Sequence, residues 1–418
     1  MEAHPSHIES PHAKSPYGPL QGVRVIDLSI NVLGPMGTQI LGDMGADVVK
    51  VETPAGDDNR RTGPSRGENM AALFLTFNRN KRSIVLDLGR PDHREVLLRL
   101  IDGADVFVHG MRRKSAEKLG IGYQAVASRN PRVIYAYGGG YSQSGPYRDR
   151  PAFDDIIQAA SGLAGAMARS LQGEPRYMPT VVVDKLCGYV LASSVSMALY
   201  ARDRTGRGQE IEVPMMESAA SFLLHEHLFA ASFDPPSAPV GYPRMFTPSR
   251  RPYPTKDGHI GVVAINDAQW RRLLTALGRA DLVDDVRFAS IDQRTLHIDT
   301  VYATVEQELK AKTTREWQAI FDAADIPNSP VRRIEDLLQD SYLWETGFFR
   351  RYHHPSEGQL VTTAIPVRFS DTPGDIRRPP PRLGEHGAEI LQELGYGAAE
   401  VEALLGPHAA ASRSSSAS

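Results

Sequence analysis

The residues best suited to chemistry gather around one carboxylate. Asp184 stands in the stretch Thr180 to Val213, TVVVDKLCGYVLASSVSMALYARDRTGRGQEIEV, where three β-branched residues, Val181 to Val183, lead into it. An Ala-, Ser- and Leu-rich helix follows, ends at Arg202, Asp203 and Arg204, and is released by Gly206 and Gly208 into a strand from Glu210 to Val213. Near a helix start, orphan N–H groups and the positive end of the macrodipole favour an ionised carboxylate. Taken locally, Asp184 is a helix N-cap. The remaining candidates are cations and glycines at strand ends. Arg82 lies in Phe77 to Leu88, FNRNKRSIVLDL; a basic turn runs from Met111 to Lys114; Lys118 lies on a short helix just after it. Such charges form either a solvated rim or an anion site at strand ends and helix starts. Gly138, Gly139 and Gly140 leave a strand together, which permits close backbone approach to a ligand or simply makes a turn.

The elements that must position these groups read as α/β. Val23 to Leu28 is a strand, a Gly34-Pro35 turn and a helix from Met36 to Met44 follow, and Ala46 to Val51 is a second strand. Strand, turn, helix, strand is a βαβ unit and calls for a parallel sheet. Further strands are expected at Asp105 to Val108 and Val133 to Tyr137, with helices carrying Val96 to Ile101 and Asp155 to Ala160. Glu52 ends the second strand as a ribose-binding acid would, but the turn N-V-L-G-P-M-G lacks the G-x-G-x-x-G that admits a pyrophosphate, and no G-x-x-x-x-G-K-[ST] loop is present. His225 and His227 are two apart and fall on different helix faces, so H-E-H is not a metal pair and no metal is expected. Pro235, Pro236 and Pro239 mark a linker, after which Trp270 to Leu277, Val301 to Leu309 and Trp317 carry helical periodicity in a smaller domain. Gln359 to Phe369 returns in strands, and Arg377 to His386 reads as an extended tether before a last helix, Ala388 to Leu394.

The 418 residues suffice for two or three domains, and 47 basic against 50 acidic residues recommend neither nucleic acid nor an anionic membrane. One cysteine, Cys187, excludes an intrachain disulfide framework and a cysteine zinc cluster, in keeping with a reducing, cytoplasmic setting. No apolar run approaches a membrane span, and neither terminus reads as a targeting segment. The expected layout is a disordered tail (1–18), a large domain (19–225), a linker (226–250), a small domain (251–345), a linker with a C-terminal return to the large domain (346–405) and a second disordered tail (406–418).

An Asp at a helix start, about twenty residues, then R-T-G-R-G-Q and a β-rich run resembles the family III CoA-transferases, which include formyl-CoA:oxalate, carnitine and bile-acid CoA-transferases and the related 2-methylacyl-CoA racemases. The resemblance runs from Pro19 to about Leu405 and includes N-D-A-Q-W, D-D-x-R-F, the T-T-x-E-W to I-P segment and P-x-L-G-E-H. It implies a Rossmann-like large domain with a parallel sheet plus a smaller α+β domain, in two chains interlocked as a homodimer. It makes Asp184 the nucleophile, and it implies coenzyme A as co-substrate with no permanently bound cofactor. Arg82, Leu86, Met111 and Lys118 become coenzyme contacts, and Gly138 to Gly140 flank the thioester. The fit is incomplete: Gly110 stands where relatives have Asn, and Thr53 where Arg is frequent. Phe153 replaces the proton-transferring His of the racemases, and an aromatic ring cannot move a proton. His225, His227, Tyr242, Arg244 and Arg251 are candidates to hold a small carboxylic acid, with a dicarboxylate and succinyl-CoA as the expected pair. The alternatives are an acyl-CoA isomerase or racemase on the same scaffold, and a non-catalytic acyl-CoA-binding protein.

Overall fold

A computed structural model describes residues 18–406; both expected tails lie outside these residues except at Gly18 and Gly406. Contacts divide the chain into two compact units, Met1–Ala160 with Pro179–Ala219 and Tyr342–Ser418, and Ser161–Met178 with Ala220–Ser341.

The first unit is built on a six-stranded sheet of β1 (Arg24–Leu28), β2 (Asp47–Glu52), β3 (Lys81–Val85), β4 (Val106–His109), β5 (Ile134–Gly139) and β6 (Gln209–Pro214), in the order β3-β2-β1-β4-β5-β6. Every pairing is parallel. This is the doubly wound order, in which the direction of strand addition reverses between β1 and β4 and leaves a crevice beyond their carboxyl ends. β2 and β4 are short β-branched runs buried on both faces, as central parallel strands require, whereas β6 at the edge is largely exposed. Helices α1 (Leu33–Asp43), α2 (Pro91–Asp102), α3 (Asp154–Ala160) and α4 (Val182–Thr205) connect or cover them. On one face Ile26, Val49, Ile84 and Phe107 pack against Val96, Leu97 and Leu100 of α2 and against Ile390 and Leu391 near the C-terminus.

At Asp27 of β1, Lys50 of β2 and Lys81 at the start of β3 the packing is ionic. Lys50 donates to the Ser29 carbonyl and to Asp57 Oδ2, both at 2.9 Å. Lys81 donates to Asp27 Oδ2 at 3.0 Å, the Pro35 carbonyl at 2.9 Å and Asn78 Oδ1 at 3.0 Å. Both ends of the Ser29 to Pro35 turn are thus tied to buried ammonium groups. Burial opposes ionisation of Asp27, but Lys81 and Lys50 together hold its carboxyl far below the usual range, and burial lowers Lys81 to about 8. Each charge is compensated only while its partners stay in place.

Helix α4 corrects one expectation. Its 24 residues and a window of mean hydropathy 1.4 make it long and apolar enough to cross a membrane, although no such run was expected. It packs instead inside the unit, against α1, where a Cβ on Gly188 would sit 3.2 Å from the Leu33 carbonyl oxygen and one on Gly37 would sit 3.1 Å from that of Gly188. The two helices meet closely at these glycines, and α4 buries one face while Tyr189, Met197 and Tyr200 stay exposed.

The second unit has a three-stranded antiparallel sheet of Tyr253–Pro254, His259–Val262 and Asn328–Pro330, covered by helices Asp267–Ala276, Ile298–Leu309 and Thr314–Ala323. Trp270, Leu273, Val301, Trp317 and Phe321 fill its core. Two of the motifs singled out above are helix starts in physical terms: Asn266 with Gln269 and Thr313 with Glu316 are complete capping boxes.

Removing one partner from a buried ion cluster costs roughly 3–5 kcal/mol. Lys81→Met is therefore expected to lower unfolding stability in urea by about 3 kcal/mol or more, and adding Asp27→Asn to it should recover part of the loss. A single-site change of less than about 1 kcal/mol would count against this role for Lys81.

Candidate active site

Topology sets where Asp184 stands. Helix α4 runs through Gly206 into β6, and β6 is parallel to β5, so the end of α4 lies at the amino edge of the sheet and its start at the carboxyl edge. At 1.5 Å per residue the helix spans about 36 Å, well past five- or six-residue strands, and this lifts its first turn beyond the strand ends. Leu33 supplies the local link: its carbonyl abuts Gly188, one turn after Asp184, while its side chain lies where a Cβ on Gly138 would be, 2.6 Å away. Asp184 and the start of the glycine triplet therefore share the switch-point edge.

The N-cap reading of Asp184 is overturned. The helix begins at Val182, the preceding Val181 gives no side-chain cap, and Asp184 is the third helical residue. Its first-turn amides are capped from another helix: Asp154 Oδ1 accepts from the N–H of Val183 at 2.8 Å and of Asp184 at 2.9 Å. Asp154 is buried, and its second oxygen accepts from Gln158 Nε2. Released from capping, the Asp184 carboxylate takes no hydrogen bond among the described residues. Burial, and then the charge of Asp154, push its carboxyl up to about 7. Lys185, the next residue, donates to Thr180 Oγ1 at 2.7 Å. Cys187, one turn on, is fully buried, and burial pushes its thiol up to about 12. Of the two potential nucleophiles in this turn, the carboxylate is the one near ionisation at neutral pH. Phe153, beside Asp154, is 69% exposed and offers no titratable group.

The expected coenzyme contacts divide. Leu86 and Met111 each follow the carboxyl end of a strand, β3 and β4 respectively, although the Leu86 side chain is core. Lys118 is exposed at the end of helix Arg113–Lys118. Arg82 requires a correction. Its guanidinium is enclosed by Asp47 at the start of β2 (2.6 Å) and by Glu389 (2.9 Å) and Glu393 (2.6 Å), so it is neutralised and directed away from the carboxyl edge. The sequence showed the cation but not the three acids, two of which lie over three hundred residues on. The glycines are packing positions as well: a Cβ would meet Tyr137 at Gly139 and Ala152 at Gly140.

In the second unit His225 is exposed, its Nδ1 2.6 Å from the Ser221 carbonyl, whereas His227 is buried and stacked on Phe246 with centroids 4.5 Å apart. Tyr242 stacks on Phe229 at 5.2 Å and gives its backbone N–H to His227 Nδ1. Arg244 donates to the Tyr302 hydroxyl at 2.8 Å, and Arg251 pairs with Glu306 at 3.1 Å. The two arginines, but neither histidine nor Tyr242, line one cavity of about 510 Å³. Two residues were missed from sequence. Asp154 stands just before the helix expected from Asp155 and was no candidate there, although an acid beginning one helix can cap another. His109 is a buried imidazole that burial lowers to about 4, lining a cavity of about 220 Å³ with Met111, Tyr135 and Tyr137.

Comparison with known proteins decides the family, since the model of CoA-transferase family III matches residues 20–387. The chain belongs to CoA-transferase family III. Among relatives of this family III enzyme, the succinate–glutarate CoA-transferase of Agrobacterium fabrum is 34% identical over 90% of this chain and 96% of its own length. The acetyl-CoA:oxalate CoA-transferase of Acetobacter aceti is 32% identical over 91% and 96%. The crystal structure of Rv3272 from Mycobacterium tuberculosis aligns with a TM-score of 0.79 at 31% identity, covering 90% of this chain and 99% of that one. A CAIB/BAIF family protein from Brucella suis aligns with a TM-score of 0.74 at 30% identity, over 90% of this chain and 100% of that one.

The raised carboxyl of Asp184 has two measurable consequences. Its ionised form accumulates only as pH rises through about 7, so kcat/KM for acyl-CoA should climb across that range. Between the ordinary carboxylate value of 3.8 and about 7 the folded chain binds this proton and the unfolded chain does not, so the group's contribution to stability declines as pH rises through that window. Asp184→Asn should accordingly have a higher Tm than the parent at pH 8, with the difference closing by pH 4. Equal differences at both pH values would contradict the shift.

Proposed function

We propose that this family III enzyme moves CoA from an acyl-CoA to a small carboxylic acid through a mixed anhydride on Asp184. The observation that carries the reading is the Asp184 carboxylate, held by a capped helix start at the carboxyl edge of the sheet, unbonded and partly desolvated. A carboxylate is a weak nucleophile in water, and removing its hydration and fixing its direction are what attack on a thioester needs. Asp184 attacks the thioester carbonyl, the C–S bond breaks, and CoA leaves as thiolate, giving the anhydride. Thiolate attack on the Asp184 carbonyl then frees the donor acid and leaves CoA on the enzyme as an aspartyl thioester. The acceptor carboxylate repeats the two steps in reverse order and departs as the new thioester. Charge and atoms balance with no redox partner. Backbone N–H groups of the Gly138 to Gly140 turn serve the tetrahedral oxyanion, and Leu86, Met111 and Lys118 the coenzyme.

Two relatives whose names pair CoA with oxalate or with succinate and glutarate support a carboxylate acceptor. A homodimer in a reducing, cytoplasmic compartment remains part of the proposal, on the family pattern and the lone buried Cys187.

Asp184→Ala should abolish exchange, by at least about a thousandfold, while CoA binding measured by calorimetry persists. Hydroxylamine should inactivate the parent enzyme only after exposure to acyl-CoA, and one acyl-CoA without a free acid should give no net conversion. Normal turnover by Asp184→Ala would overturn the assignment, and conversion without an acceptor would turn it toward an isomerase.

A further inference from the structure

The turn between β1 and α1 is fixed at its middle as well as at its ends. Asp57 Oδ1 accepts the N–H of Asn31 at 3.2 Å, and Asn59 Nδ2 donates to the Asn31 carbonyl at 2.6 Å. Asp57 is itself held, by the N–H of Asn59 at 3.0 Å on the same oxygen and by Lys50 Nζ at 2.9 Å on the other. Clasped from both sides, Asn31 takes a left-handed backbone, φ 64°, which residues other than glycine seldom adopt and which Asn tolerates better than most.

From Ser29 to Pro35 every residue is buried except Ile30 and Asn31. The backbone groups of Asn31 are engaged by the clasp, whereas its side-chain amide makes no hydrogen bond among the described residues, and its oxygen and nitrogen are both open to solvent. A polar side chain without partners, on a backbone pinned from two directions, is pre-organised to meet a ligand.

Parallel helices bring this amide level with Asp184. Helix α1 follows β1 and precedes the parallel β2, and α4 precedes β6, which is parallel to the same set, so both helices run from the carboxyl edge of the sheet to the amino edge. They touch where Gly188 meets Leu33 and Met36 and where Gly37 meets Leu191. One turn toward the carboxyl edge from Gly188 is Asp184, and the same rise from Leu33, the first residue of α1, leads into Ile30 and Asn31. The Leu33 side chain also fills the space beside Gly138, so the start of the glycine triplet borders the same place.

We propose that Asn31 is a further catalytic residue: its Nδ2 donates a hydrogen bond to the thioester carbonyl oxygen of the acyl-CoA, and the bond strengthens as that oxygen becomes the tetrahedral oxyanion. The inference rests on the transfer reading for the identity of the substrate. No proton moves; the amide keeps both hydrogens, and the oxyanion's electron pair re-forms the C=O bond as CoA leaves with the electrons of the C–S bond.

Asn31→Gly is the variant to test, because glycine accepts the left-handed backbone and only the amide is lost. With succinyl-CoA and glutarate as the probe pair, kcat should fall about a hundredfold or more, while KM for succinyl-CoA stays within about threefold and circular dichroism and Tm match the parent. Asn31→Asp, of the same shape but with no donor, should lose at least as much. A second measurement needs no turnover. In the full-length Asp184→Ala protein, the infrared C=O stretch of bound succinyl-CoA, isotope-labelled at the thioester carbonyl, should lie at lower frequency than in the Asp184→Ala, Asn31→Gly double variant. Parental kcat in Asn31→Gly, or the same stretch in both Asp184→Ala proteins, would overturn the proposal. Hydroxylamine trapping in the parent reports on the anhydride alone, so the two readings fail separately.

Discussion

The position of the Asp184 carboxylate rests on a hydrogen bond made by a different one. Asp154 accepts the first-turn amides of α4 and thereby does what Asp184 would otherwise do for its own helix. Capping and nucleophilicity compete for the same oxygen lone pairs, because an oxygen that accepts backbone N–H bonds is stabilised as an anion and made less reactive. With Asp154 as the cap, the oxygen lone pairs of Asp184 are left free of that duty. The buried Asp154 also places like charge near Asp184 and adds to burial, the larger cause, in raising the energy of its ionised form, so the residue that orients the helix start also contributes to its proton affinity.

The rest of the first unit keeps that helix start in place. Close contact between α1 and α4 at Gly37 and Gly188, where backbone oxygens as well as the Met36 and Leu191 side chains abut the glycines, couples the Ser29 to Pro35 turn to the turn bearing Asp184. That turn is fixed at both ends by ammonium groups with no access to water. Apolar packing is non-directional, whereas these donors specify particular carbonyl oxygens, and this accounts for charge where a doubly wound sheet ordinarily buries leucine and valine.

Much of this was legible in the residues. Short β-branched runs separated by Gly-containing turns and amphipathic helices gave the parallel sheet, and the Asp184 block with its R-T-G-R-G-Q sequel gave the family. What could not be read was which groups meet across long separations. Asp154 and Val183 are 29 residues apart, and Arg82 and Glu393 are 311 apart, so the local pattern around each carries no trace of the other. The helix start was misread because β-branched Val182 and Val183 favour strand by propensity, and a cap supplied from outside the helix overrides that preference. The stacking of His227 on Phe246 could not be read either, since a buried ring looks the same in sequence as a free one.

Strand β3 lies at the edge of the sheet, and its outer side is closed by the last part of the chain. Asn80 exchanges hydrogen bonds with Arg377 and Arg378, the N–H of His386 goes to the Ser83 carbonyl, and Arg82 holds Glu389 and Glu393. During synthesis that edge, complete once the first eighty-five residues have emerged, stays unpaired until some three hundred more have left the ribosome. A nascent chain in this state presents a ready template for the strands of its neighbours on the same polysome, and the late arrival of the C-terminal helix is the event that withdraws it.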